Sequence, residues 1–165
     1  MSVALLSAVG SASAADKIKI GVSMYTQSTP YFVAQLDAAK KVAEKMGCDV
    51  VATDAGNDMI KQIADVEDMI SQGIKVLILN PRDPKGLIPA TQACTAAKIP
   101  VVCMDSSHPV EVATKSVEIA IKAAKGELPP NFPKLTLTEP VAITKDNVAL
   151  ETHSFRCVVL LHASS

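Results

Sequence analysis

An alternation of short apolar runs with longer amphipathic stretches constrains this chain more than any other feature. The apolar runs are residues 18–24 (IKIGVSM), 48–53 (CDVVAT), 75–80 (KVLILN) and 100–105 (PVVCMD). A strand needs only a handful of residues to cross a core, whereas the stretches between these runs are long enough for helices. Strand, helix, strand in repetition is the pattern of βαβ units building a parallel sheet. The expected fold class is therefore α/β, a three-layer αβα domain with a mainly parallel sheet.

The first helix is predicted to start near Pro30, with Ser28 or Thr29 offering an N-cap oxygen and Pro30 fitting the first helical position. Phe32, Leu36, Ala39, Ala43 and Met46 recur at helical spacing, and Gly47 supplies a left-handed stop. A second helix is predicted over 57–72, with Ile60, Ile63, Val66 and Ile70 on one face and Gly73 closing it. A third spans 85–97 and ends before Ile99-Pro100. A fourth spans 110–125, with Ala113, Val117, Ala120, Ile121 and Ala124 as its stripe and Gly126 as its cap. Beyond it, residues 127–133 read as a proline-punctuated loop. Leu135 and Leu137 alternate with threonines and predict a short extended piece.

At 165 residues and 48% apolar composition the chain fits one domain with a sizeable core. A formal charge of −1 without any run of like charges argues against a nucleic-acid surface, and 3% aromatic content argues against a base-stacking platform. No apolar stretch is long enough to span a bilayer as a helix. Cys48, Cys94, Cys103 and Cys157 show no C-x-x-C spacing and no clustered histidines, so no metal site and no disulfide pair is assigned. Residues 1–14 (MSVALLSAVGSASA) join an apolar segment to an A-x-A-like ending, which reads as a signal peptide without its basic start.

In an open parallel sheet, ligands sit beyond the carboxyl ends of the strands, where the strand order reverses. Here those ends lead into residues 25–30, 54–58, 81–84 and 106–109, all rich in hydrogen-bonding groups. Asn80 and Asp83 read as turn formers, Arg82 as solvated, and His108 as incidental.

Four segments carry a family likeness: STPYFVAQLDAAKKVAEKMG, VATDAGND, VLILNPRDP and AAKIPVVCMDSS. In this order they resemble the amino-terminal lobe of periplasmic sugar-binding proteins of the ribose-binding type, the type 1 solute receptors of ABC importers. The likeness covers residues 17–106. From 108 to 150 (HPVEVATKSVEIAIKAAKGELPP to LTEPVAITKDNVAL) the chain resembles the carboxyl-terminal end of the same family, where a helix returns to the first lobe before the last hinge strand. What lies between, most of the second lobe, is missing at the junction. The expected organisation is a signal peptide remnant at 1–14, a single receptor lobe at 15–150, and an unmatched tail at 151–165.

The resemblance implies a monosaccharide ligand, an ABC permease as partner, export to the periplasm, no cofactor, no metal and no enzymatic step. A sugar wants an aromatic plane against its C–H face and carboxylate or amide groups at its hydroxyl rim. The family pattern places the plane on Tyr31 and Phe32 and the bidentate acceptor on Asp105. Thr29 and Ser106 occupy rim positions where the family often has Asn and Arg, and these departures bear on which sugar is bound. Phe32 also lies on the buried stripe, so core packing explains it as well as binding does. Asp105 could equally cap a turn.

Competing readings are a folded remnant without function, a repressor effector lobe, and a flavodoxin-like ligand-binding domain. The absent helix-turn-helix disfavours the repressor. Pro30 removes an N–H that a phosphate loop would use. No P-loop, G-x-G-x-x-G or G-x-S-x-G motif is present to support nucleotide or hydrolase chemistry. With one wall only, a second copy of the chain is the candidate source of the other.

Overall fold

A computed structural model describes residues 17–83, 85–104, 109–130, 132, 135–136 and 158–161. The elements run β1 (Lys19–Met24), α1 (Pro30–Lys45), β2 (Asp49–Asp54), α2 (Met59–Ser71), β3 (Val76–Asn80), α3 (Ile88–Ala96), β4 (Val101–Met104), α4 (Pro109–Ala124), β5 (Leu135–Thr136) and β6 (Val158–Leu161). The four expected strands up to residue 105, the four helices and the short extended piece at 135 are present within a few residues of their predicted ends, while the expected hinge strand before residue 150 lies outside the described residues. The sheet has six strands in the order β2-β1-β3-β4-β6-β5. β2, β1, β3 and β4 are parallel, and β6 runs antiparallel to both β4 and β5.

Alternation along the strands sends side chains to two cores. Ile20, Val22, Met24, Val76, Ile78, Val102 and Met104 pack with α1 and α4 on one face. Leu77, Leu79 and Val101 pack with Val66 and Met69 of α2 and Ala90 and Cys94 of α3 on the other. Helices on both faces of a parallel sheet make the doubly wound αβα arrangement. Gly21 is part of this packing. A Cβ there would lie 2.8 Å from Ile74 Cδ1 and 3.0 Å from Met69 Sδ, so the missing side chain lets α2 approach β1.

Several expectations are corrected. Met46 does not belong to the α1 stripe; it is the C-cap residue, and 48% of its surface is exposed. Thr29 is the α1 N-cap, yet its side chain caps nothing, while the neighbouring Ser28 is bonded to Thr26 instead. α2 begins at Met59 because Asp58 Oδ1 accepts the N–H groups of Ile60 and Lys61 at 2.8 and 3.1 Å. Ile60 is therefore 77% exposed, and the buried line runs through Gln62, Val66 and Met69. α3 starts later than predicted, since residues 85–87 form a turn in which Asp83 Oδ1 accepts from Lys85 N–H. Ala124 is only half-buried, whereas Ala113, Val117, Ala120 and Ile121 of the predicted α4 stripe are buried. Cys48 precedes β2 rather than lying within it. The tail, unplaced by its sequence pattern, supplies β6. The signal-like segment 1–14 and the stretch 137–150 lie outside the described residues.

Candidate functional site

The chain enters the sheet at β1, steps outward to β2, then crosses back to β3 on the other side of β1. The strand order reverses between β1 and β3, and the loops after those strands leave toward opposite faces. This is the crevice where a doubly wound sheet holds ligands. Three of the loops predicted to converge there are described, and their polar groups are joined. Thr26 Oγ1 donates to Ser28 Oγ at 3.1 Å and accepts from Asn57 Nδ2 at 3.3 Å. Asn57 N–H donates to the Tyr25 carbonyl at 2.7 Å, and Asn57 Oδ1 accepts from Arg82 Nη1 at 3.0 Å. The loops after β1, β2 and β3 are thus tied in series. Asn57 has φ 69°, a left-handed conformation that Asn tolerates and that turns its amide toward both neighbours.

The aromatic side chains form a second group. Phe32 packs edge-on against Tyr25, with ring centroids 4.8 Å apart, and against Tyr31, at 5.1 Å. Phe32 is buried in the α1–α4 core, while Tyr25 and Tyr31 are half-buried against it. Of the two predicted aromatic residues, Phe32 therefore acts as a core side chain that braces the tyrosines, and Tyr31 reaches the surface. Burial pushes the Tyr25 phenol above its ordinary pKa, and the Arg82 cation opposes that rise. Thr29 is exposed at the mouth of this loop. Asp105, Ser106 and His108 lie outside the described residues.

Below the loops lies a buried polar cluster that the sequence pattern does not announce. Ser23, Gln62 and Asn80 are each almost fully buried. Gln62 Nε2 donates to Ser23 Oγ at 3.2 Å and to the Asn80 carbonyl at 3.1 Å. Asn80 Nδ2 donates to the Met104 carbonyl at 2.8 Å. Asn80 is thus more than a turn former. Its Oδ1 is buried without a hydrogen-bond partner among the described residues, an unpartnered acceptor beneath the switch point. Gln62 held a place on a helix face that periodicity reserves for an apolar residue. The signal that could have revealed it is a polar residue four positions before Val66 and seven before Met69. Arg82, predicted to be solvated, is exposed but also braces Asn57. Among the described residues no group of three His, Cys, Asp or Glu side chains is arranged to hold a metal.

The arrangement offers an aromatic surface, amide and hydroxyl groups, and one guanidinium, which suits binding of a small polar ligand. Known proteins match this part of the chain. A model of the periplasmic binding protein domain matches residues 20–120. The ribose import binding protein of Bacillus subtilis strain 168 is 41% identical over 88 residues, 53% of this chain and 29% of that protein. That of Escherichia coli K12 is 36% identical over 105 residues, 64% of this chain and 36% of that protein. The chain therefore spans about a third of the length of these relatives. A crystal structure of an ABC transporter solute binding protein from Mycobacterium smegmatis, with bound glycerol, is 46% identical. It superposes with a TM-score of 0.53 over 53% of this chain and 31% of that one. With more than half of its length matched by the family model, this chain belongs to the periplasmic binding protein family.

Proposed function

We propose that this chain binds a monosaccharide as one wall of a receptor serving an ABC importer, without any catalytic step. The observation that carries the reading is Tyr31, half-buried and braced by Phe32 beside the strand-order reversal. It stands within residues 20–120, which the periplasmic binding protein domain model matches, in a chain 41% identical over 88 residues to a protein named for ribose import. A tyrosine ring presents an apolar face to sugar C–H groups, while the Tyr31 hydroxyl itself is buried. Asn80 lies beneath this surface, where its buried Oδ1 has no hydrogen-bond partner among the described residues. Asp105 completes the rim as a bidentate acceptor for adjacent hydroxyls, with Thr29 and Ser106 setting which sugar fits. Residues 1–14 direct export, and the ABC permease is the macromolecular partner.

The sequence passes from the first-lobe pattern to the returning helix near residues 106–108. The opposite wall is then supplied by another molecule, and a second copy of the chain is the candidate. That junction also favours a second reading, a folded lobe whose affinity is too low for transport. A micromolar receptor has about 8 kcal/mol of binding free energy, and half of it corresponds to a dissociation constant on the order of millimolar. The loss is larger still because the entropic cost of association does not halve.

The test is a D-ribose titration followed by amide chemical shifts, with Tyr31→Ala and Phe32→Leu as variants. Removing the Tyr31 ring is expected to weaken D-ribose binding by the folded protein about tenfold, alongside the stability lost with its packing on Phe32. Phe32→Leu is expected to lower the melting temperature. Equal affinity for wild type and Tyr31→Ala would remove Tyr31 from the site.

A further inference from the structure

Parallel strands that diverge at a switch point leave backbone carbonyls without ladder partners. The β1–β3 pairing ends at Met24 opposite Asn80, and the β3–β4 pairing ends at Leu79 opposite Cys103. Buried carbonyls at such ends need donors. Here two side-chain amides provide them. Gln62 Nε2, from α2, reaches the Asn80 carbonyl at 3.1 Å and Ser23 Oγ at 3.2 Å, with the Ser23 carbonyl at 3.5 Å. Asn80 Nδ2 reaches the Met104 carbonyl at 2.8 Å, one step past the last paired residues of β3 and β4.

Both amides face carbonyl oxygens, which accept and never donate, so each must present its NH2 group there. For Asn80 that choice turns Oδ1 away from the carbonyl and leaves it as the buried, unpartnered acceptor. The two residues are 1% and 2% exposed, so water does not substitute for either bond.

We propose that Gln62 is a positioning residue of the binding site. It fixes the backbone of Asn80, and through Asn80 it sets the spacing of the β1, β3 and β4 ends and the aim of the Asn80 acceptor. The binding part of this claim rests on the receptor reading above; the structural part does not. Gln62 touches no ligand.

The structural part is read first, in the ligand-free wild type. The side-chain NH2 protons of Gln62 and Asn80 are expected to exchange with deuterium about as slowly as core amides. Rapid exchange of either would overturn the relay. In Gln62→Met, which keeps the volume and removes the donor, Asn80 NH2 exchange is expected to rise about tenfold or more beyond the change in global stability from urea unfolding. Ser23→Ala, which severs only the side branch, is expected to leave Asn80 exchange unchanged. Should Gln62→Met not fold, the wild-type exchange rates still decide.

The ligand arm uses D-ribose. Gln62→Met is expected to raise the dissociation constant of the folded protein about tenfold. A lower melting temperature with unchanged Asn80 exchange and unchanged affinity would show a merely structural glutamine and overturn the proposal. Absence of D-ribose binding by the wild type, with the exchange pattern as expected, would overturn the receptor reading and leave the relay standing.

Discussion

Buried polar atoms sort the residues of this domain into those with a task and those without one. Ser23, Gln62 and Asn80 are buried together and bonded to one another, at the end of the sheet where ligands bind in such folds. Ser116 on α4 is equally buried, but its Oγ has no partner among the described residues. A buried hydroxyl without a hydrogen bond costs stability. Ser116→Ala is accordingly expected to raise stability by about 1 kcal/mol, measured as a higher urea midpoint at constant m. A lower midpoint would mean that the hydroxyl is bonded. Cys94 gives a pH dependence of the opposite character. Burial between α3 and the sheet pushes its thiol up to about 11 from 9.0. The unfolded chain ionises above pH 9 while the folded chain keeps its proton. The contribution of this burial is therefore complete below pH 9 and is lost as pH rises through about 11. The stability advantage of wild type over Cys94→Ala is expected to shrink across that interval. A pH-independent advantage would contradict the burial.

At the scale of elements, periodicity found the strands and helices because each must bury one face. It failed where a polar side chain sits inside or an apolar one outside. Ile60 follows the helical spacing of Val66 and Ile70 only loosely, and the Asp58 cap turns it to solvent. Ile121 is buried where α4 packs on the sheet. The same substitution therefore has opposite expected consequences. Ile121→Asp should cost several kcal/mol, since it buries an unpaired charge. Ile60→Asp should change stability by less than about 0.5 kcal/mol, with a small gain available from a negative charge in the first turn of α2. Thermal unfolding of the pair checks both. Equal losses would put α2 in the rotation that the sequence pattern predicted. β6 was not legible because a four-residue apolar run has no periodicity that separates strand from exposed patch. Pairing to the open edge of β4 settles its place.

For the whole molecule, the αβα winding was legible from the order of apolar runs, and the location of the crevice followed from the strand ends alone. How the residues at the strand ends are arranged was less legible. Tyr31 and Phe32 are neighbours in sequence, but only the packing of Phe32 between two tyrosines separates brace from surface. The Thr26–Asn57–Arg82 chain joins three loops across 56 residues of sequence, a contact that local patterns do not encode. Gln62 was hidden for the reason that makes it informative: a polar residue at a core position needs partners that only the fold supplies.

The central claim is that this lobe carries a sugar-binding wall at the switch point between β1 and β3. Titration of the monomeric protein with D-ribose, read by backbone amide shifts, tests it most directly. Saturable shifts confined to residues near Tyr25–Tyr31 and Asn80 are expected, with a dissociation constant on the order of millimolar. No shifts at several tens of millimolar D-ribose, or shifts centred away from the strand ends, would contradict it.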